Sequence, residues 1–559
     1  MGLNRERKVL QQSRRECAQH PLAFEVWCCG RRNDTLRQPV RNLLFPLAIL
    51  LSVVTFSAPA QAADCHALTQ SAQPDTTILT AEVVSGGSFT PPYGASLTGL
   101  PVFCRVSGIL HPTSDSVIRF EVWMPEKGWN HRFLAAGNGG FAGSIYYGQL
   151  GDSLKRGFAT AGTDTGHQAD AQDASWAYQH PEKIADFGYR AVHLTTERAK
   201  TIINMFYGEP PTKSYFDACS DGGREALMEA QRFPADYDGI LAGAPANNWT
   251  KLIAATVDVT KVFIGNPQGY IPSIKLPAIT AAVLAQCDAQ DGLKDGILND
   301  PRTCHFDPAT LLCKQGDELS CLTPPQVASL KKIYVGGTDD EGHMIFPGLM
   351  PGDEVHLWKS WLVGDGPNVS LYTQNYFRYM VFDDPNWNAL TANTDGAVHA
   401  ADTKTAQALN ATDPDLSRFA AHGGKLILYH GWNDPAISPL NTVQYYEQVQ
   451  AKMGDEKTAD FVRLYMVPGM GHCAGGTGAA TFGQLGLTTA KEPEYGIFDA
   501  LEKWEELDTA PGSIIATKYG AARKVEMTRP ICPYPQVAKY NGSGDPNDSA
   551  SFSCAAPAH

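Results

Sequence analysis

Residues 216–225 constrain the fold of this chain more than any other segment of its sequence. Residues 213–218 have the pattern of a strand, and residues 224–233 carry apolar side chains at helical spacing. Ser220 lies between them in a small-x-Ser-x-Gly turn. A turn of this kind exposes the serine hydroxyl and leaves the next backbone N–H, that of Asp221, free to bind an oxyanion. Taken alone, the segment is also compatible with an ordinary helix that begins at a serine N-cap.

The N-terminal region has the features of an export signal. An apolar run at residues 43–56 precedes an Ala-x-Ala motif, which predicts a signal peptide that is cleaved after Ala62. The alternative is an uncleaved N-terminal anchor, but the run is short for a membrane span. We therefore expect a mature chain that has no membrane span and is secreted or periplasmic.

The charge of the chain argues against two classes of partner. The first 41 residues hold nine Lys or Arg and four Asp or Glu, whereas the whole chain has a formal net charge of −14. The mature chain is therefore more acidic than the full sequence. A strongly acidic surface repels nucleic acid and anionic membranes, so we expect neither as a partner.

Strands and helices alternate in two parts of the chain. The predicted strands are residues 117–124, 132–136, 157–162, 213–218, 239–245, 425–429 and 462–467, and an amphipathic helix is predicted at residues 189–207. Such alternation indicates an α/β protein with a mostly parallel sheet.

The alternation is interrupted between residues 247 and 405, where four cysteines, an Asp/Gly loop and many Trp, Tyr and Pro residues occur. We interpret this segment as an inserted lid domain. The predicted domains are an N-terminal extension with signal peptide (1–62), the first part of the core (63–246), the lid (247–405) and the second part of the core (406–559).

Two polar residues at the ends of later strands are candidates to activate Ser220. A serine hydroxyl needs a base to become a nucleophile, and the base needs an orienting carboxylate. Asp434 follows the strand at 425–429, and His472 follows the strand at 462–467. Each could singly be a turn former or a loop histidine, but the chain order Ser, Asp, His at three strand ends favours a catalytic triad.

A glycine-rich loop at residues 137–143 directly follows the predicted strand at 132–136. Hydrolases of the α/β class place their second oxyanion donor in a loop at this position. The alternative is a flexible turn, and the loop alone does not distinguish the two.

Two dipeptides connect the chain to a known family. Cys219-Ser220 and His472-Cys473 resemble the pattern of the tannase and feruloyl esterase family of exported serine esterases, which pairs a Cys-Ser elbow with a His-Cys. The resemblance extends from about residue 65 to the C terminus. It also includes residues 137–143, 163–167, 239–245, 430–434 and the Asp/Gly loop.

This resemblance implies an alpha/beta-hydrolase fold with a large inserted lid domain. It also implies a nucleophile at Ser220, an acid at Asp434 and a base at His472. The oxyanion donors would be the backbone N–H groups of Asp221 and Gly140.

The Asp/Gly loop at residues 287–297 is a candidate metal site. Carboxylates with intervening glycines suit a hard cation that binds oxygen, chiefly calcium, although a solvated acidic turn is the alternative. The resemblance implies a structural calcium ion held by the carboxylates of Asp288, Asp291 and Asp295 and the backbone carbonyls of Leu293 and Ile297.

The cysteines of the mature chain are expected to form disulfides. Cys17, Cys28 and Cys29 lie in the removed segment, which leaves an even number of the chain's 13 cysteines in an exported protein. The expected pairs are Cys65–Cys104, Cys287–Cys304, Cys313–Cys321 and Cys532–Cys554 as local links, and Cys219–Cys473, whose pairing follows the family pattern.

The lid is rich in aromatic residues, which fits a flat phenolic substrate. Residues 376–382 and Trp387 are candidates to line the pocket, although packing inside the lid is the preferred interpretation for most of them. The family resembled here also includes enzymes that hydrolyse mono(hydroxyethyl) terephthalate. Those enzymes need a cation for the free carboxylate, a role that the sequence does not assign to Arg378. Ile437 is aliphatic where the terephthalate enzyme carries an aromatic residue.

The sequence thus predicts a serine carboxylesterase that acts on small esters of aromatic acids, feruloyl-type hydroxycinnamoyl esters above all. Alternatives within the class are a tannase that acts on galloyl esters and a mono(hydroxyethyl) terephthalate hydrolase. Alternatives from other classes are a peptidase on the same scaffold and a non-catalytic binding module. The module is disfavoured because all three triad candidates are present.

Overall fold

The computed structural model describes residues 63–71, 73–363, 368–487 and 496–557. The predicted N-terminal extension and signal peptide, residues 1–62, lie outside these ranges. Within the described ranges we find no helix whose length and hydropathy would allow it to span a bilayer.

Most strands of the structure are short. In chain order they are β1 (Thr76–Val84), β2 (Ser88–Phe89), β3 (Leu97–Thr98), β4 (Phe103–Leu110), β5 (Ile118–Pro125), β6 (Arg132–Ala136), β7 (Ala159–Thr163), β8 (Lys213–Cys219), β9 (Gly239–Gly243), β10 (Gly336–Thr338), β11 (Met344–Pro347), β12 (Lys425–Gly431), β13 (Val462–Val467), β14 (Ile514–Tyr519), β15 (Val525–Ile531), β16 (Val537–Tyr540) and β17 (Phe552–Ala555).

The helices alternate with the later strands of the core and dominate the insertion. In chain order they are α1 (Tyr147–Lys155), α2 (Pro181–Ala185), α3 (Ala191–Tyr207), α4 (Asp221–Arg232), α5 (Trp249–Thr260), α6 (Leu276–Cys287), α7 (Pro324–Val335), α8 (Glu354–Trp361), α9 (Asn368–Asn375), α10 (Thr394–Leu409), α11 (Ser417–His422), α12 (Pro439–Met453), α13 (Asp455–Phe461) and α14 (Ile497–Leu507).

The described residues form a central sheet of nine strands in the order β1-β4-β5-β7-β6-β8-β9-β12-β13. The strands from β7 to β13 in this order run parallel, whereas β1, β4 and β5 pair antiparallel at one edge. Strands β8 and β9 are buried along almost their whole length because helices cover both faces of the parallel part. The predicted parallel sheet is therefore confirmed for the part that carries the candidate triad.

The insertion lies between β9 and β12. The described strands of the central sheet come from residues 76–243 and 425–467, whereas the insertion contributes helices and the separate hairpin β10–β11. Its two ends meet where the Ala411 N–H donates to the Asn247 carbonyl at 2.8 Å. Helix α10 continues to the buried Leu409, beyond the predicted lid boundary at residue 405, because it packs against α5 of the insertion.

Five disulfides join distant and local parts of the described chain. They are Cys65–Cys104, Cys219–Cys473, Cys287–Cys304, Cys313–Cys321 and Cys532–Cys554, the same five pairs that were expected from the sequence.

Candidate active site

Ser220 occupies a strained turn between β8 and α4. Its φ of 69° and ψ of −123° lie outside the regions that residues other than glycine normally adopt. Its N–H donates to the Gly243 carbonyl at 3.0 Å, and the Gly222 N–H donates to the Asn138 carbonyl at 2.9 Å. A Cβ atom on Gly223 would lie 2.3 Å from the Gly243 oxygen, so a larger residue there would push the turn away from β9.

Helix α4 begins at Asp221, three residues before the start that the sequence pattern predicts. The two glycines of the elbow form part of its first turn. Because glycine has low helical propensity, this turn carries no helical signal in the sequence.

The three predicted triad residues meet at the carboxyl ends of the parallel strands β8, β12 and β13. His472, after β13, places Nε2 2.8 Å from the Oγ of Ser220 and Nδ1 2.7 Å from the Oδ2 of Asp434. Asp434, after β12, is 1% exposed, whereas the His472 side chain is 12% exposed. This arrangement can transfer the serine proton to His472 while the carboxylate orients the imidazole.

Both oxygen atoms of the Asp434 carboxylate accept hydrogen bonds. Its Oδ1 accepts hydrogen bonds from the N–H groups of Ala436 (2.7 Å) and Ile437 (3.0 Å). Burial alone would raise the pKa of the Asp434 carboxyl, but the charge of His472 and hydrogen bonds from His430 and His472 lower this pKa well below its usual range. The group is therefore an anion at neutral pH.

His430 is a further residue of the site to which the sequence analysis gave no role. Its Nε2 lies 3.1 Å from the Oδ2 of Asp434 and 3.1 Å from the carbonyl oxygen of Ile437. Its Nδ1 lies 2.7 Å from the Oγ1 of Thr442. In the sequence, the feature that could have pointed to His430 is its position at the end of β12, four residues before Asp434.

Both predicted oxyanion donors lie beside Ser220. Asp221 and Gly140 line the same cavity wall as Ser220. No acceptor for the backbone N–H of either residue occurs among the described residues. The Asp221 carboxylate itself is occupied, because the buried Arg224 donates to it at 2.6 Å. Gly140 has a φ of +63°, and a Cβ there would lie 2.4 Å from the Ala171 oxygen.

The glycine-rich loop is tied to α4 by a buried acid. Glu225 accepts a hydrogen bond from the Asn138 N–H at 2.9 Å through Oε2. Burial and the nearby charge of Asp221 raise the pKa of Glu225 to about 8, although Arg224 and this hydrogen bond oppose the shift. The contact fixes the loop that carries Gly140 relative to the helix that carries Ser220.

Two cavities open at Ser220 and share a wall formed by Gly140, Trp361, Tyr372 and His472. The larger cavity has a volume of about 670 Å³, within the range of small-molecule sites. Its wall includes several tyrosines, namely Tyr93, Tyr146, Tyr147 and Tyr372. Burial raises the pKa of Tyr146 and of Tyr372 to about 12, so these phenols stay neutral.

The insertion contributes half of the residues that line the smaller cavity, and the lining is mostly apolar. Its aliphatic and aromatic lining comprises Ala246, Trp249, Leu252, Ile253, Trp361, Val369, Tyr372, Ala436 and Ile437. The hydroxyl of Thr256 also faces it and lies 2.6 Å from the Oγ1 of Thr373. None of the described residues that line either cavity is Lys or Arg.

Comparison with known proteins identifies the family of this site. A family model described as "Tannase and feruloyl esterase" matches residues 104–555. The chain belongs to the tannase and feruloyl esterase family. It therefore has the alpha/beta-hydrolase fold and is a carboxylesterase, as the resemblance predicted.

Named relatives cover nearly the whole chain. An uncharacterized esterase of Xanthomonas campestris pv. campestris is 41% identical over 92% of this chain and 95% of its own length. A protein of Neosartorya fischeri named "Probable feruloyl esterase B-2" is 34% identical over 91% and 99%, respectively. Feruloyl esterase B from Aspergillus oryzae superimposes with a TM-score of 0.82 at 29% identity over 88% of this chain and 99% of that chain. The tannin acyl hydrolase of Aspergillus niger, at 23% identity and a TM-score of 0.69, shares the fold.

For most of residues 376–382 and for Trp387, packing inside the lid is the interpretation that the structure of this esterase supports. None of them lines the cavities beside Ser220. Most instead pack inside the insertion, because α9 and the turn after it press against α5 and α10. Arg378 donates to the Trp387 carbonyl at 2.9 Å. Trp361 and Tyr372 line both cavities instead. The ring of Trp361 packs edge-to-face against the ring of His472, with the two centroids 5.1 Å apart.

The acidic loop at residues 287–297 has oxygen atoms of the kind that bind a hard cation. The carbonyl oxygens of Leu293 and Ile297 accept no hydrogen bond from the described residues, which leaves them available as ligands. Burial and the charges of Asp295 and Asp288 raise the pKa of Asp291, against hydrogen bonds from loop N–H groups. A bound cation would relieve the repulsion that Asp288 and Asp295 exert on Asp291, while the Oδ2 of Asp295 is also paired with Arg529 at 2.9 Å. The disulfide Cys287–Cys304 closes this loop.

Proposed function

We propose that this carboxylesterase hydrolyses esters of aromatic acids, feruloyl-type hydroxycinnamoyl esters above all, through an acyl-enzyme on Ser220. The observation that carries the proposal is the continuous hydrogen-bonded series Ser220–His472–Asp434, which opens into two cavities whose described lining contains no Lys or Arg. The curated relatives named as feruloyl esterases support the choice of acyl group.

The reaction begins when the Oγ of Ser220 attacks the ester carbonyl carbon and the Nε2 of His472 takes the hydroxyl proton. The carbonyl oxygen becomes an oxyanion, which the N–H groups of Asp221 and Gly140 stabilise. His472 then gives its proton to the alcohol oxygen as the C–O bond breaks. Water repeats the attack with His472 as base, which releases the aromatic acid and restores the serine.

Asp434 stays ionised throughout this cycle. It receives the Nδ1–H of His472 and so keeps Nε2 as the acceptor that faces Ser220. Because its pKa is lowered, the Asp434 carboxylate remains an anion in mildly acidic solution as well.

The lining of the cavities bears on the choice of substrate. A mono(hydroxyethyl) terephthalate ester carries a free carboxylate, and the described lining offers it no Lys or Arg. Burying an unpaired charge is costly, so such a substrate is disfavoured relative to a neutral feruloyl ester. The likeness to a tannin acyl hydrolase concerns the fold alone, whereas the relatives named as feruloyl esterases match at 33–34% identity.

We further propose a structural calcium ion in the loop at residues 287–297. Asp288, Asp291 and Asp295 would supply carboxylate oxygens, and Leu293 and Ile297 would supply carbonyl oxygens. The ion would compensate the acidic loop and stabilise the insertion, at a site that does not belong to the catalytic residues.

We also propose that the mature protein is secreted or periplasmic. The five disulfides support an oxidising compartment. The predicted signal peptide, which lies outside the described residues, supports the same conclusion.

Initial rates on methyl ferulate, methyl gallate and mono(hydroxyethyl) terephthalate test the proposed substrate, with the Ser220→Ala variant as the background control. We expect kcat/KM to be highest for methyl ferulate and lowest for the terephthalate monoester. A preference for methyl gallate would identify a tannase, and hydrolysis of all three at the rate of the Ser220→Ala control would refute the proposed activity.

A further inference from the structure

His430 contacts the same oxygen of the triad carboxylate as the catalytic base His472. Its side chain is fully buried, and its Nε2 faces two oxygen acceptors, the Oδ2 of Asp434 and the carbonyl of Ile437, each at 3.1 Å. The same Oδ2 atom accepts from the Nδ1 of His472 at 2.7 Å. Two imidazoles therefore share one carboxylate oxygen.

The neighbours of His430 determine which ring nitrogen carries the proton. Both neighbours of Nε2 are acceptors without a proton to give, so Nε2 must be the protonated nitrogen. The Thr442 hydroxyl, at 2.7 Å from Nδ1, can then donate to Nδ1. This assignment gives each of the three partners of the buried ring a hydrogen bond.

The same ring also connects the carboxylate to the wall of the smaller cavity. Asp434 accepts from the Ala436 and Ile437 N–H groups through Oδ1, and His430 holds the Ile437 carbonyl through Nε2. Ala436 and Ile437 line the smaller cavity. The orientation of the carboxylate and the position of this cavity wall are thus fixed by one set of hydrogen bonds.

From this geometry we infer that His430 is a positioning residue of the esterase, and that Thr442 holds its ring in place through the contact at Nδ1. The inference rests on the proposed role of the triad. His430 cannot be a second base for the substrate, because it is fully buried and is not among the residues lining the cavities at Ser220. It directs Oδ2 toward His472 and so acts on the chemical step through Asp434.

The decisive experiment is a double-mutant cycle on kcat and KM for methyl ferulate. His430→Leu should lower kcat about 10- to 100-fold with little change in KM, the equivalent of one lost hydrogen bond to a charged group. Thr442→Val should lower kcat about 2- to 10-fold, the equivalent of a neutral hydrogen bond. In the His430→Leu background, Thr442→Val should have no further effect on kcat, because the hydroxyl acts only through the imidazole.

Conservative variants separate positioning from general stability. His430→Gln retains an N–H donor at about the position of Nε2, and Thr442→Ser retains the hydroxyl. Both variants should therefore recover most of the kcat that is lost in His430→Leu and Thr442→Val. Thr405→Val is the matched control, since it removes a buried hydroxyl that lies 2.7 Å from Tyr376 in the insertion. We expect this control to change the melting temperature without changing kcat.

Three results would overturn the inference: a folded His430→Leu enzyme with kcat within twofold of wild type, equal effects of Thr442→Val in both backgrounds, or no recovery with His430→Gln. If His430→Leu does not fold, the kcat of Thr442→Val against Thr442→Ser decides the question. An active Ser220→Ala enzyme would instead refute the proposed function itself, so the two failures are distinguishable.

Discussion

Cys219 and Cys473 form a disulfide between the residue before the candidate nucleophile and the residue after the candidate base, with Cα atoms 6.0 Å apart. The bond thus joins the end of β8 to the loop after β13, across a sequence separation of 254 residues. It limits how far Ser220 and His472 can move apart.

Replacing both cysteines of this bridge by alanine should lower kcat more than it changes secondary structure at low temperature. A displacement of about 1 Å in a catalytic group can cost about 100-fold in rate. The chain-entropy model also assigns a loop of this length roughly 5 kcal/mol of stability. Circular dichroism and kcat measured at the same temperature test this, with Cys313→Ala/Cys321→Ala as a control far from the triad in sequence. Equal losses of kcat in both variants would contradict a positional role.

The buried carboxyl group of Asp217 should make stability depend on pH. Burial raises the pKa of Asp217 to about 7, although the Leu485 N–H donates to it and Arg156 lies nearby. Because the unfolded group has a pKa of about 4, the folded state binds more protons between pH 4 and 7. This group therefore lowers the free energy of unfolding as pH rises through that window, by at most about 1.4 kcal/mol per pH unit.

Asp217→Asn should remove this contribution. The free energy of unfolding, measured with denaturant between pH 4 and pH 8, should fall less steeply with pH in the variant than in the wild-type protein. The variant should also be the more stable of the two at pH 8. An unchanged slope would mean that the folded group ionises as it does in the unfolded chain.

Chelation should lower the melting temperature if the loop at residues 287–297 binds calcium. A ligand present at 100 times its Kd stabilises the folded state by about 2.7 kcal/mol, and a chelator removes this contribution. Asp291→Asn should melt at a lower temperature and be insensitive to the chelator. Elemental analysis of the purified protein provides the direct readout. Protein that contains no calcium and melts unchanged in chelator would show that the loop is a solvated turn.

The sequence predicted the parallel part of the sheet and the three residues that meet there. This was possible because Ser220, Asp434 and His472 each follow a buried strand, and the carboxyl ends of parallel strands lie on one edge of a sheet. The antiparallel strands β1, β4 and β5 were predicted less fully, since only residues 117–124 show a clear alternation.

The surroundings of the triad could not be predicted in the same way. A histidine at the end of a buried strand, such as His430, has the same sequence signal whether it binds a backbone carbonyl or a catalytic carboxylate. The density of aromatic residues at 376–382 reflects the core of the insertion, whereas Trp361 and Tyr372 reach the cavities from separate helices that only tertiary packing brings together.

The proposed mechanism requires a covalent feruloyl intermediate at Ser220, and trapping this intermediate is the most direct test. An activated ester, 4-nitrophenyl ferulate, should acylate faster than water deacylates, so acid quenching in the first turnover preserves the intermediate. After reduction and digestion, mass spectrometry should find the feruloyl group on Ser220. The Ser220→Ala variant should carry no label and should lose on the order of 10⁶-fold in kcat. A feruloyl group on another residue, or a Ser220→Ala enzyme that turns over at the wild-type rate, would contradict the account.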